Sequence, residues 1–150
     1  MASASAAVEK DREDPGTWLT LGHLQQEAGD QDSAIHSFLE AQRLEPRSAA
    51  AVYSLGMSFF LLGLDTNVAD YYQRAARHFR VALELDPKQD RAVFMLGVID
   101  VVESKLSEGR SYLEKAIGLS PQNPYYHLHL VNPGKFCRSA PGILLLDTST

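Results

Sequence analysis

Apolar residues recur at steps of three and four through most of this chain, the spacing that places side chains on one face of an α-helix. The first such stripe consists of Trp18, Leu21, Leu24 and Ala28. Gly29 interrupts it, and Pro46 closes the stripe that follows, because neither residue suits the interior of a helix. The pattern therefore predicts two consecutive helices, over about 16–28 and 33–44, joined by a short turn.

Two short motifs occur three times each and indicate that this pair of helices is repeated. A Leu-Gly pair stands at Leu21-Gly22, Leu55-Gly56 and Leu96-Gly97. A small residue followed by Leu and Pro closes each unit, in the segments 41–46, 82–87 and 116–121. The steps are 34 and then 41 residues for the first motif, but 41 and then 34 for the second. Seven extra residues therefore lie inside the second unit.

The position of Gly63 suggests where the extra residues lie. It follows Gly29 by 34 residues, and both are interpreted as glycines that end a helix. The insertion is then expected after Gly63, where seven residues add two helical turns without disturbing register. The predicted helices of the second and third units span about 48–62, 66–85, 89–104 and 107–119.

The 34-residue unit resembles the tetratricopeptide repeat. In the first unit the match rests on Trp18, Leu21, Gly22, Ala34, Phe38, Ala41 and Pro46. The chain departs from the repeat pattern at Gln25, Val52, Val93, Asp100 and Gly109. The resemblance implies an all-α fold, a right-handed α-solenoid of antiparallel helix pairs with about seven helices.

The repeats are expected to lie between two segments without repeat features. Residues 1–14 have little to bury and are predicted to be disordered. The expected repeats are 15–48, 49–89 and 90–123, with a partial fourth at 124–131. Residues 132–150 contain two Pro-Gly pairs and are predicted to be an irregular tail. That tail is either a native ending that folds back, an alternative ending on a longer repeat protein, or a fragment boundary.

Composition and charge narrow the choice of function. The formal net charge of −5 argues against a general nucleic-acid binder. The local exception is the basic group Arg74, Arg77, His78 and Arg80, interpreted as a solvated face in preference to an anion site. Cys137 is the single cysteine, so no intrachain disulfide is possible. With no signal-like or membrane-length apolar stretch found, a cytoplasmic protein without membrane partners is expected.

The resemblance implies that first helices of successive repeats line a concave, protein-binding groove. The residues predicted to bind a peptide or amphipathic helix are Tyr53, Met57, Phe60, Leu61, Arg91, Phe94, Met95 and Val98. Further residues assigned to this face are Leu19, His23, Gln26, Glu27, Val101 and Val102. The alternatives are that these apolar residues pack in the core, or that residues 142–146 of the tail occupy the groove.

Family members that bind the EEVD tails of heat-shock proteins Hsp70 and Hsp90 use a clamp of Lys, Asn, Asn, Lys and Arg. The equivalent residues here are Leu19, His23, Ser54, Arg91 and Met95, with one positive charge among them, so binding of such tails is not expected. His127, His129 and Cys137 lack a fourth ligand for zinc, and no cofactor motif is present. The sequence therefore predicts a non-enzymatic adaptor. The alternatives are a structural subunit or truncated isoform of a larger repeat scaffold that docks in a multiprotein complex, and an enzyme accessory domain.

Overall fold

The computed structural model describes residues 12–124, Tyr126, and the backbone of 137–140 and 143–145. Its helices are α1 (Pro15–Glu27), α2 (Gln31–Leu44), α3 (Ala49–Thr66), α4 (Ala69–Leu85), α5 (Asp90–Val102) and α6 (Leu106–Leu119). They pack as the pairs α1–α2, α3–α4 and α5–α6, and α2 also packs against α3. The predicted all-α arrangement of helix pairs is confirmed. The chain divides into two compact units, one ending at Leu85 and the other beginning at Asp86.

Side-chain caps fix where α1 and α3 begin. Asp14 accepts a hydrogen bond from the backbone N–H of Gly16 at 3.0 Å, and Trp18 Nε1 donates to the Arg12 carbonyl at 3.0 Å. The prediction of disorder through residue 14 is therefore wrong for residues 12–14, while residues 1–11 lie outside the described residues. The Ser48 hydroxyl caps α3 in the same way, accepting from Ala51 N–H at 3.2 Å.

Glycines allow α1 and α2, and likewise α3 and α4, to approach each other closely. A Cβ atom added at Gly22 would lie 2.5 Å from Cε1 of Phe38, and one at Gly56 would lie 2.7 Å from Cε1 of Phe79. Both phenylalanines are fully buried. Two of the three repeated Leu-Gly pairs therefore lie at these helix contacts. The ring of Phe38 itself covers the glycine surface.

The seven inserted residues lengthen both helices of the second pair. α3 has 18 residues against 13 in α1, and α4 has 17 against 14 in α2. Gly63 therefore lies inside α3, so its assignment as a helix-ending glycine is wrong. The helix instead ends at Asn67, whose left-handed backbone has φ of 56°.

Gly63 has a packing role of its own. A Cβ atom there would lie 2.8 Å from Cε1 of Tyr72, which is buried. Gly63 follows Gly56 by seven residues and Tyr72 precedes Phe79 by seven, so antiparallel helices bring each glycine to an aromatic ring. The insertion thus repeats the glycine-aromatic contact two turns further along the hairpin.

Replacing Gly63 with alanine is expected to destabilise the protein by about 1 kcal/mol. Overpacking against Tyr72 costs about 1–3 kcal/mol, and the better helix propensity of alanine offsets up to about 1 kcal/mol of that. The control is Gly118→Ala, because nothing lies within 4 Å of a Cβ added at this helical residue. It is expected to stabilise by about 0.5–1 kcal/mol. Urea denaturation measures both, and equal effects would contradict the contact between Gly63 and Tyr72.

The third pair packs by a different contact. A Cβ atom on Gly97 would lie 3.0 Å from the Gly109 carbonyl oxygen, and one on Gly109 would lie 2.8 Å from Cγ2 of Val101. Leu113 occupies the place of the phenylalanine found in the first two repeats. Two glycines here bring the backbones of α5 and α6 together, which explains the departure from the repeat pattern at Gly109.

Tyr126 connects the predicted fourth repeat to α5. Pro124 and Tyr126 have helical backbone, and the rest of the predicted seventh helix lies outside the described residues. The Tyr126 ring stacks on Phe94 with 4.7 Å between centroids, and its hydroxyl donates to Asp90 Oδ2 at 2.7 Å. Burial by itself would raise the pKa of Asp90, but hydrogen bonds from Tyr126, Ser120 and the backbone lower it below its ordinary 3.8.

The tail contains regular structure that the sequence analysis did not predict. β1 (Cys137–Ala140) pairs antiparallel with β2 (Ile143–Leu145), and the register shifts between Cys137 and Ala140. The prediction of an irregular tail is wrong for these seven residues. The intervening Pro141-Gly142 is a dipeptide typical of turns, which was the available signal. The suggestion that 142–146 fill a groove depends on positions and side chains outside the described residues.

Helix α3 is the one helix in the described part of the chain that is long and apolar enough to cross a membrane. The sequence analysis found no such stretch, so that statement is corrected. Only the length and composition of α3 suit a membrane, and 56% of the helix is buried inside the protein. Because α3 packs against both α2 and α4, its apolar character is that of a core helix.

Candidate functional site

The structure buries most of the residues predicted to bind a peptide. Six of the eight are at most 8% exposed: Met57, Phe60, Leu61, Phe94, Met95 and Val98. Tyr53 is half-buried, and its ring is tilted against that of Phe79 with 5.5 Å between centroids. Arg91 is exposed. Within this set, a partner that leaves the helices in place can therefore reach Tyr53 and Arg91.

The further residues assigned to the same face are more varied. Glu27 is exposed, Gln26 and Val101 are buried, and Val102 is half-buried. Leu19 packs against the core cluster that contains Phe38. The accessible part of this face is therefore more polar than the apolar groove that the sequence predicted.

A seam of polar contacts joins α1 and α3. His23 Nε2 shares a hydrogen bond with Ser54 Oγ at 3.0 Å, and Gln26 Nε2 donates to Ser58 Oγ at 3.0 Å. Gln26 and both serines are buried. The sequence signal was present but unused: Ser54 and Ser58 are four residues apart in an otherwise apolar helix, so they lie on one face. This polar seam of His23, Gln26, Ser54 and Ser58 is the best-defined feature of the predicted binding face in the first unit.

The imidazole of His23 is exposed over much of its surface, but one side of the ring contacts other groups. Its centroid lies 5.1 Å from that of Phe38, and Ser54 bonds its Nε2. Burial of that side lowers the pKa of His23 below 6.5, although the nearby charge of Glu27 acts in the opposite direction. His23 is therefore neutral at pH 7 and can use a ring nitrogen as a hydrogen-bond acceptor.

The lowered pKa of His23 predicts a stability loss in mild acid. The unfolded chain binds a proton near pH 6.5 while the folded chain resists it, so stability is complete above that pH. It should decrease as the pH falls from 6.5 through the lower pKa of the folded state. NMR titration of the ring should show the lowered pKa, and urea denaturation should show the decrease. In His23→Gln the decrease should be smaller over the same interval, and an unchanged pH dependence would contradict the prediction.

A cluster of aromatic and charged side chains lies on the lengthened pair α3–α4. Phe59 stacks on His78 with 5.3 Å between centroids and on Tyr71 with 6.4 Å. The Arg74 guanidinium carbon lies 6.0 Å from the centroid of Phe59 and 5.8 Å from that of Tyr71. Asp70 Oδ2 pairs with Arg74 Nε at 2.7 Å. We call these five residues the α4 cluster.

The basic residues of α4 were noted from the sequence, but their contact with Phe59 was not predicted. In the first repeat the equivalent contact is a hydrogen bond of 2.6 Å from Ser37 Oγ to Gln25 Oε1. Phe59 and His78 of the second repeat stand where the first repeat has Gln25 and Ser37. This difference between the two repeats is the sequence signal that could have located the cluster.

No group of three His, Cys, Asp or Glu side chains in the described ranges is placed to hold a metal ion. His127 and His129 lie outside those ranges, and the side chain of Cys137 is not described.

The helix pairs and their glycine contacts correspond to a known repeat family. The family model described as tetratricopeptide repeat matches residues 19–77 and 68–124. This chain belongs to the tetratricopeptide-repeat family.

Two curated proteins share sequence with the chain. The Cell division cycle protein 27 homolog of Caenorhabditis elegans is 29% identical over 122 residues, which cover 81% of this chain and 15% of that protein. Human Protein O-mannosyl-transferase TMTC1 is 28% identical over 92 residues, which cover 61% of this chain and 10% of that protein. The matched region is thus a small part of each of these relatives.

Solved structures share the fold. MamA superposes with a TM-score of 0.71 at 23% identity, covering 85% of this chain and 70% of MamA. The first TPR of Spaghetti (RPAP3), bound to the HSP90 peptide SRMEEVD, gives 0.71 at 18% identity and covers 79% of this chain and 90% of that one. The Arabidopsis OM64 TPR domain gives 0.69 at 18% identity, with coverages of 78% and 91%.

Proposed function

We propose that this protein is a non-enzymatic adaptor that binds a peptide or helix of another protein on the face formed by α1 and α3, the first helices of its first two repeats. The family and fold indicate an adaptor or scaffold role in protein–protein interaction. The proposal adds the face that is used. It also places the protein in the cytoplasm, which imaging of a fluorescent fusion would test.

The polar seam is the observation that carries this proposal. His23 and Ser54 come from the first helices of two successive repeats and meet at 3.0 Å, so the seam joins these helices beneath the exposed ring of His23. Half-buried Tyr53 adjoins Ser54 and supplies a large amphipathic side chain, of a type enriched where proteins meet. A bound segment would place its own backbone N–H or C=O groups against His23 and exposed Glu27.

The clamp residues support a ligand other than an EEVD tail. The RPAP3 domain binds an HSP90 peptide that ends in EEVD. Here the equivalent residues include Arg91 as the single positive charge, and Met95 is 2% exposed. Because a carboxylate needs exposed donors, the proposed ligand is a segment without a C-terminal acidic tail.

Affinity purification from cell extract tests the adaptor proposal. The wild-type chain is compared with a Tyr53→Ala, Glu27→Gln double variant and with an Arg43→Gln, Arg110→Gln control. Arg43 and Arg110 are exposed and lie on second helices. We expect a partner that binds the wild type and the control but not the test variant. Identical partners for all three chains would refute the proposed face.

A structural subunit of a multiprotein complex is the second candidate. It is favoured by the 15% coverage of the Cell division cycle protein 27 homolog, because a group of repeats of this size can be part of a larger repeat scaffold. Purification of the chain alone separates the two candidates. A stable monomer that captures a peptide supports the adaptor, whereas aggregation that a large partner relieves supports the subunit.

A further inference from the structure

We propose that the exposed face of α4 is a second docking surface, which binds an acidic, extended segment of a partner protein through Arg74, Arg77 and Arg80. This surface goes beyond the proposed use of the first helices, since α4 is a second helix. The inference rests on three features of the described residues: the charge along α4, the fixed position of Arg74, and the spacing between the arginines.

The charge along α4 is opposite to that of the whole protein. The segment 71–83 contains three arginines and a histidine and no aspartate or glutamate, in a chain of formal net charge −5. Arg74, Arg77 and Arg80 are all exposed. Within the described part of the chain, Arg77 and Arg80 form no ion pair. A negatively charged ligand is therefore the chemical complement of this face.

Arg74 is held in place before any ligand arrives. Its guanidinium lies near both Phe59 and Tyr71, and its Nε is bonded to Asp70. The ring of His78 is also fixed, because its Nδ1 donates to the Arg74 carbonyl oxygen at 2.9 Å. A side chain already restrained loses less conformational entropy on binding, which favours Arg74 as the anchor of the surface. Its terminal nitrogens can donate to a carboxylate in bidentate fashion.

The spacing of the arginines indicates the form of the ligand. Arg74, Arg77 and Arg80 follow one another at steps of three, so neighbouring Cβ atoms lie about 5–6 Å apart on the helix surface. In an extended peptide, side chains two residues apart point to the same side at about 6.6 Å, at 3.3 Å per residue. Alternate acidic residues of an extended segment can therefore pair with successive arginines.

Fluorescence anisotropy tests the proposal with a labelled peptide that alternates glutamate and serine, and with its glutamine analogue. The test variant is Arg74→Gln, Arg77→Gln. The control is Arg43→Gln, Arg110→Gln, which removes two exposed arginines from other helices, each paired with a glutamate three or four residues away. We expect saturable binding of the acidic peptide at about 0.15 M salt, near-equal Kd values for wild type and control, and a Kd raised about tenfold in the test variant.

Several outcomes would overturn the assignment. They are a lack of saturable binding, equal loss in both double variants, and equal binding of the glutamine analogue. Displacement of the peptide by a single-stranded oligonucleotide of higher affinity would assign the face to nucleic acid instead. Self-association that the test variant abolishes would assign it to a second copy of this chain. Arg77→Gln alone is a further variant, because Arg77 has no described contact that the change would remove. Circular dichroism checks that every variant is folded.

Failure of this surface and failure of the proposed first-helix surface are distinguishable. The purification experiment changes Tyr53 and Glu27, neither of which lies on α4, whereas the anisotropy experiment changes α4 alone. A partner lost from the Tyr53 variant and kept by the Arg74 variant would leave the first-helix proposal intact.

Discussion

Substitution of Gly22 by leucine is expected to destabilise the protein by about 3 kcal/mol, at the upper end of the usual cost of overpacking a core. The smallest possible side chain already conflicts with its surroundings, because a Cβ atom at this position would lie 2.5 Å from the ring of Phe38. Phe38 is fully buried, so its ring cannot move aside into solvent. Helices α1 and α2 would have to separate, which would expose the ring. The urea midpoint measures the loss.

Gly118→Leu is the matched control, since it places the same side chain on a helix where nothing lies within 4 Å. It is expected to stabilise the protein by up to about 1 kcal/mol, because leucine, like alanine, has a better helix propensity than glycine. A double-mutant cycle of Gly22→Ala with Phe38→Leu adds a finer test. The shorter leucine should leave room for the new Cβ, so we expect a favourable coupling energy of about 1 kcal/mol. Strict additivity would show that the two residues do not compete for the same space.

Truncation of Phe79 to alanine is expected to cost about 3–5 kcal/mol, the range for removing a buried aromatic ring. Phe79 is fully buried and covers the backbone at Gly56. Its ring lies against that of Tyr53, with 5.5 Å between centroids. Gly56 has no side chain with which to fill the cavity. The helix pair α3–α4 would therefore keep a void beside its closest approach.

The comparison for Phe79→Ala is Val81→Ala, two residues further along the same helix. Val81 is 40% exposed, and its truncation should change stability by no more than about 0.5 kcal/mol. Urea denaturation followed by circular dichroism measures both variants. A loss below 1 kcal/mol for Phe79→Ala would mean that the ring does not hold α3 and α4 together.

The repeat architecture was readable from local features of the sequence. The Leu-Gly pairs, the small residues and the closing prolines recur at fixed steps, and each acts within a few residues of its own position. Helix periodicity, capping by Asp14 and Ser48, and helix exclusion by Pro46 depend on the backbone nearby. Local causes of this kind survive in a single sequence, so the six helices were predicted within a few residues at most ends.

The residues of α3 and α5 that face solvent were harder to predict, because both helices are apolar on nearly all sides. In an amphipathic helix the polar side marks the solvent, but these two helices have almost no polar side by which to tell a groove from a core. Met57, Phe60, Phe94 and Met95 could have faced either way, and the structure buries all four. Which stripe is covered depends on neighbouring helices that are distant in sequence.

The sequence by itself determined three helix pairs, a seven-residue insertion and the small residues at their contacts, because periodicity and spacing are properties of the local chain. The tertiary structure alone decided how those residues are used. It placed Gly63 against Tyr72, joined His23 to Ser54, and gathered Arg74 with Phe59. Each of these contacts joins residues on different helices, so its existence depends on how the helices pack and not on either segment alone.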